Sequence, residues 1–100
     1  MVANLPITPD RIAEFCRKWR IREFSLFGSV ITDKFRPDSD VDVLVVFEPG
    51  VQHDVDARLA MEAELQGLFG REIDLVDRRR LINPYRRHHI LTHRRVLYAA

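Results

Sequence analysis

The chain has 100 residues, 46% of them hydrophobic and 31% charged, with four Gly, five Pro and a formal net charge of +1. That is the length of one domain, read as residues 1–100, and the balance of a folded protein rather than a disordered one. The longest apolar run, Val43 to Phe47, is far short of the ~20 residues of a membrane-spanning helix, and Met1 to Pro9 lacks the basic start and apolar middle of a signal peptide. A cytoplasmic location is the expectation. Cys16 is the only cysteine, which leaves no intrachain disulfide and no Cys-based zinc site, and its expected role is a small core side chain.

Thr8 followed by Pro9 reads as a cap and first helical residue, and Ile12, Phe15, Cys16 and Trp19 then recur at helical spacing. Residues 22–27 (REFSLF) read as a short strand that stops at Gly28, and Ser29 to Asp33 as a short helix or turn. Lys34 to Ser39 is loop. Val41 to Phe47 is dominated by β-branched residues and ended by Glu48-Pro49-Gly50, and its near-continuous hydrophobicity implies a central strand covered on both faces. From about Asp54 to Phe69, Val55, Leu59, Met61, Leu65, Leu68 and Phe69 fall within one broad helical arc, with Gly70 as the residue that ends the helix. Glu72 to Val76 reads as a third strand, Asn83-Pro84 starts a basic helix, and Val96 to Tyr98 is either its last turn or a final strand. The sum is an α+β fold: a small mixed β-sheet flanked by helices.

Asp40 and Asp42 open the most hydrophobic strand of the chain, and strand alternation projects both to one side. Two such carboxylates coexist ionised when they share divalent cations, and hard oxygen ligands suit Mg²⁺ or Mn²⁺. Gly28-Ser29, placed where a strand ends, offers backbone N–H groups and a hydroxyl to a phosphate. Asp74 points away from Ile73 and Leu75, so it reaches the same cations if its strand lies beside Val41 to Phe47. Three carboxylates, two cations and a phosphate cradle are the parts of an in-line displacement at phosphorus.

Gly28-Ser29, ten residues, then Asp40-Val41-Asp42, a hydrophobic strand and a later strand carrying Asp74 form a combination. In this the chain resembles the minimal nucleotidyltransferases, small members of the DNA polymerase β-like superfamily. The likeness runs from Phe27 through Asp77, and the Thr8 helix and the Asn83-Pro84 tail also fit. The resemblance implies that fold, and an antitoxin that transfers AMP from ATP to a tyrosine hydroxyl of a HEPN-type ribonuclease toxin, its hetero-oligomeric partner. It further implies that Gly28, Ser29 and Ser39 bind the nucleotide, and that Asp40, Asp42 and Asp74 are both catalytic and metal-binding. Many members follow Gly-Ser with an Arg-Ala-Arg-Gly type segment, where this chain has Val30-Ile31-Thr32-Asp33. That removes a triphosphate contact worth ~1.5 to 3 kcal/mol, for which Lys34 and Arg36 are substitutes within the loop.

Two mechanisms are compatible with these residues: transfer of AMP to the partner, favoured by the three aspartates, and neutralisation by binding and occlusion, favoured by the missing arginine. A small-molecule nucleotidyltransferase or a polymerase needs a further domain to hold its acceptor, and 100 residues leave no room for one. Residues 71–100 hold eight of the sixteen basic residues and only Glu72, Asp74 and Asp77 as acids. Arg86, Arg87, Arg94 and Arg95, interleaved with Ile90, Leu91 and Leu97, read as a protein-docking surface, and without an aromatic platform direct RNA binding is not expected. His53, His88, His89 and His93 read as surface histidines rather than metal ligands, and Tyr85 and Tyr98 as packing residues of the tail.

Overall fold

Thr8 has extended backbone and its hydroxyl accepts a hydrogen bond from the Arg11 N–H at 3.4 Å, which starts α1 (Pro9–Trp19) at the predicted place. Ile12, Phe15 and Cys16 face inward, and burial pushes the Cys16 thiol up to about 12, so it packs as an inert core side chain. α1 ends at Arg20, whose left-handed φ of 57° turns the chain directly into β1 (Ile21–Phe27). The computed structural model describes Leu5 and residues 7–100; the reading of Met1 to Pro9 as free of a signal peptide falls largely on Met1–Asn4 and Pro6, which lie outside the described residues.

After β1 come a 3₁₀ turn (Gly28–Ile31), β2 (Val41–Phe47), α2 (Val55–Phe69), β3 (Ile73–Asp77), a second 3₁₀ turn (Arg78–Arg80), α3 (Pro84–Thr92) and β4 (Arg94–Ala99). The sheet order is β3-β2-β1-β4, with β2 and β3 parallel and the other pairs antiparallel, so the expected mixed sheet with a central β2 is present. The last segment, open between helix and strand in the sequence, is a strand because its register opposite β1 pairs Tyr98 with Phe24 and Arg94 with Phe27. Val41, Val43 and Val45 of β2 pack with Ile12, Phe15, Met61 and Leu65 from α1 and α2 on one face. Leu44 and Phe27 pack with Leu81 and Ile90 on the other, which places α3 there. Among the described residues no helix is long and apolar enough to cross a membrane.

Two packing expectations are corrected. Val55 and Leu59 are 72% and 57% exposed, because α2 turns only Met61, Leu65 and Phe69 fully inward, and Leu59, six residues before Leu65, lies about 120° round the helix from it. Tyr85 is 86% exposed rather than packed, since it sits about 140° round α3 from the buried Ile90. Tyr98 does pack against the main core.

The buried carboxylate of the fold is Asp77, 5% exposed at the end of β3. Burial pushes its carboxyl up, but the hydrogen bonds and charge of Arg79, with the charge of Arg58, outweigh this and hold it below its ordinary 3.8. Arg79 Nη2 donates to Oδ2 at 2.9 Å and the Arg79 backbone N–H to Oδ1 at 2.9 Å. A carboxylate depressed on folding contributes stability that is present above its unfolded value and lost as pH falls through the folded one. Asp77→Ala is therefore expected to cost about 1–3 kcal/mol in urea unfolding at neutral pH, with a smaller penalty in acid. An equal penalty at both pH values would show that the pair contributes nothing as a charge.

Candidate active site

β1 ends and β2 and β3 begin at the same end of the sheet. Asp42 is the register partner of Phe27 on one side and of Asp74 on the other. Neighbouring strands in register present paired side chains to one face, and Asp42 and Asp74 share theirs with Leu44 and Val76, the face that α3 covers. Asp40, two residues before Asp42, lies just ahead of the strand. Next along β1, Gly28 has φ +76°, and a Cβ built there would lie 2.1 Å from Asp42 Oδ2. Glycine is thus required twice, for the backbone and for the carboxylate that occupies the space of a side chain.

The Asp42 carboxyl is raised above its ordinary 3.8, first by burial and then by the negative charges of Asp74 and Asp40, with Arg86 acting in the opposite direction. A half-buried carboxylate crowded by two others is a place where a cation relieves repulsion, and the donors are the hard oxygens that Mg²⁺ or Mn²⁺ prefers. Among the described residues no group of three or more His, Cys, Asp or Glu side chains is placed to hold a metal ion together, Asp40, Asp42 and Asp74 included. Mg²⁺ is commonly held by one or two carboxylates and completed by substrate phosphates, so a three-carboxylate cage is not what such an ion requires.

Between this strand end, the Gly28–Ile31 turn and α3 lies a cleft of about 730 Å³, lined among others by Phe27, Gly28, Ser29, Thr32, Lys34, Asp42, Arg86, His89, His93 and Arg94. Of the residues singled out by sequence, Gly28, Ser29 and Asp42 line it, while Asp40 and Asp74 act on Asp42 as neighbouring charges. Ser39 does not line it: its hydroxyl accepts from the Arg36 N–H at 2.9 Å and its carbonyl from Arg71 Nη1 at 3.3 Å, which shapes the loop. Lys34 reaches the cleft and Arg36 does not.

Sequence reasoning missed three residues. Arg71 pins the loop that leads to Asp40, donating from Nη1 to the carbonyls of Arg36 at 2.7 Å and Pro37 at 2.9 Å, with its guanidinium 4.2 Å from the Phe35 ring centre. Nothing local in the sequence signals that contact. Arg86 and Arg94, expected on a docking surface, line the cleft instead. The signal for Arg86 was its place four residues before Ile90, on the inward side of α3. Arg94 enters because β4 pairs it with Phe27, and it bonds to Glu23 Oε1 and, at 3.4 Å, to Ser25 Oγ. The His89 and His93 rings stack with centres 4.5 Å apart. His53 departs from the expected surface placement: its ring packs between Trp19 and Phe47, and its Nε2 lies 2.9 Å from the Trp19 carbonyl oxygen.

Residues 10–97 match the family described as nucleotidyltransferase domain. The protein adenylyltransferase MntA of Thermococcus cleftensis is 35% identical over 65 residues, which are 63% of this chain and 62% of that protein. The chain thus spans under two thirds of that relative's length. A toxin–antitoxin crystal structure with AMP-PNP superimposes with a TM-score of 0.75 at 22% identity, covering 94% of this chain and 75% of that one. A structure of a tri-AMPylated Shewanella oneidensis HEPN toxin in complex with an MNT antitoxin gives a TM-score of 0.66 at 22% identity, covering 92% and 70%. At that identity the two structures show a shared fold. With the family matched over nearly the whole length and the Gly-Ser turn set against the Asp42 carboxylate, this chain belongs to the nucleotidyltransferase domain family.

Proposed function

We propose that residues 1–100 act in the cytoplasm as one minimal nucleotidyltransferase domain that transfers AMP from ATP to a hydroxyl, a tyrosine, of a HEPN-type toxin partner. The observation that supports this reading is the close approach of Gly28 to Asp42, which sets the Gly-Ser turn beside that carboxylate. The names of the relatives support the rest: a protein adenylyltransferase in Thermococcus, and a HEPN toxin carrying AMP in complex with an antitoxin of this fold.

In this reading Gly28 and Ser29 orient the phosphates through backbone N–H groups and the Ser29 hydroxyl. Asp42, with Asp40 and Asp74, is the set that would hold Mg²⁺ or Mn²⁺. Such ions supply Lewis acidity to the phosphoryl oxygens and charge neutralisation to the departing pyrophosphate. The protein's own part is positioning: β2 fixes Asp42 by its register, Arg71 fixes the loop before Asp40, and α3 closes the cleft from above. The acceptor hydroxyl comes from another chain.

The test mixes purified partner with this chain, ATP and Mg²⁺, and then removes this chain. Added adenylate mass and a partner that stays inactive are expected. Inhibition that vanishes on dilution, without added mass, would establish occlusion and sink the transfer reading.

A further inference from the structure

A nucleotide polyphosphate in this cleft would lie beside Asp40, Asp42 and Asp74, so its own negative charge has to be met by cations of the chain. The turn itself offers none: Ser29-Val30-Ile31-Thr32-Asp33 contains no basic residue. Arg94 lines the cleft but is engaged by Glu23 and Ser25, and Lys34, which also lines it, offers a point charge on a flexible stem without a planar fork. Arg86 is different. It lines the same wall, its charge acts on Asp42, and its guanidinium has no hydrogen bond or ion pair among the described residues.

Its backbone is nonetheless fixed. Asn83 Oδ1 accepts from the backbone N–H groups of Tyr85 at 3.0 Å and Arg86 at 3.2 Å, which locks the first turn of α3. One turn later Ile90 is buried against Phe27 and Leu44, so the helix face bearing Arg86 is anchored to the strands that carry the site. A guanidinium held on a rigid helix, with its planar fork unused, suits bidentate recognition of phosphate oxygens.

Building on the nucleotide reading above, we propose that Arg86 on α3 is the polyphosphate clamp of this cleft, taking the β- and γ-phosphate oxygens of a nucleoside triphosphate. The clamp comes from the C-terminal helix rather than from the turn after Gly28-Ser29. The absence of arginine from that turn is then no argument for a purely occluding protein.

Calorimetric titration of ATP and of AMP, each with Mg²⁺, into the wild type, Arg86→Ala, Arg86→Lys and Arg87→Ala tests this. Arg86→Ala is expected to weaken ATP about 10- to 100-fold and AMP by less than about threefold. Arg86→Lys keeps the charge without the fork and is expected to fall between; Arg87→Ala, beside the clamp but outside the cleft, is expected to bind both nucleotides as the wild type does. Thermal melts confirm that each variant folds. Wild-type ATP affinity in Arg86→Ala, equal losses for ATP and AMP, or the same loss in Arg87→Ala overturns the clamp. A wild type that binds neither nucleotide instead overturns the nucleotide reading on which the clamp rests.

Discussion

Asp42→Asn is expected to reduce AMP transfer at least about a thousandfold, the consequence of losing roughly 4 kcal/mol of charge stabilisation at the reacting phosphate. The fold is expected to survive, because Asn is nearly isosteric and Asp42 sits in β2 through backbone pairing with Phe27 and Asp74. Stability is expected to stay level or rise in metal-free protein. The carboxyl is raised by burial, then by Asp74 and Asp40, so the folded state holds a proton more tightly than the unfolded chain does. Between the unfolded value and the raised folded one, stability falls as pH rises, and above that window the penalty is fully present. Asn removes the penalty. At neutral pH the variant is therefore expected to melt at or above the wild type, and the gap is expected to close as pH falls below the folded value. Transfer at a near wild-type rate would remove Asp42 from the reaction; a lower melting point at neutral pH would contradict the repulsion argument.

How much of this was legible beforehand depends on whether a signal is local. The cap Thr8-Pro9, the β-branched run of β2 and the αL glycine after α2 are local features, and each element begins and ends within a residue or so of where they place it. A shared face for Asp40 and Asp42 is the expectation from strand alternation, whereas β2 begins only at Val41 and Asp40 acts on Asp42 as a neighbouring charge. That Asp74 joins them depends on the parallel β2–β3 register, which follows from the helical crossover between the strands only once they are known to be neighbours. Arg71 and Arg94 act through contacts to segments far away in sequence, with the Arg36–Ser39 loop and with Glu23, and no periodicity reports them. Val55 and Leu59 mislead for a different reason. They continue the apolar composition of α2 while lying off the narrow stripe that meets the sheet. Apolar identity alone therefore overstates how much of a helix is covered.

Gly28→Ala is expected to damage stability and chemistry together, and comparison with two other glycines separates the causes. Gly28, Gly50 and Gly70 all have positive φ, at 76°, 81° and 68°. Placing alanine in that backbone region costs about 1–2 kcal/mol wherever it is done. At Gly50 and Gly70 a new Cβ meets nothing within 4 Å, so Gly50→Ala and Gly70→Ala are expected to lose about that much in unfolding free energy and to keep full transfer activity per folded molecule. At Gly28 the Cβ would stand 2.1 Å from Asp42 Oδ2 and 3.2 Å from its Cγ. Either the turn moves away from β2 or Asp42 leaves its rotamer, and in both cases Gly28-Ser29 and Asp42 no longer share one site. Gly28→Ala is therefore expected to exceed the other two in stability loss and to abolish transfer as fully as Asp42→Asn does. Measuring unfolding by urea and transfer by adenylate incorporation for the three variants decides the matter. If Gly28→Ala behaves like Gly50→Ala in both assays, the close approach of the turn to Asp42 is not what builds the site.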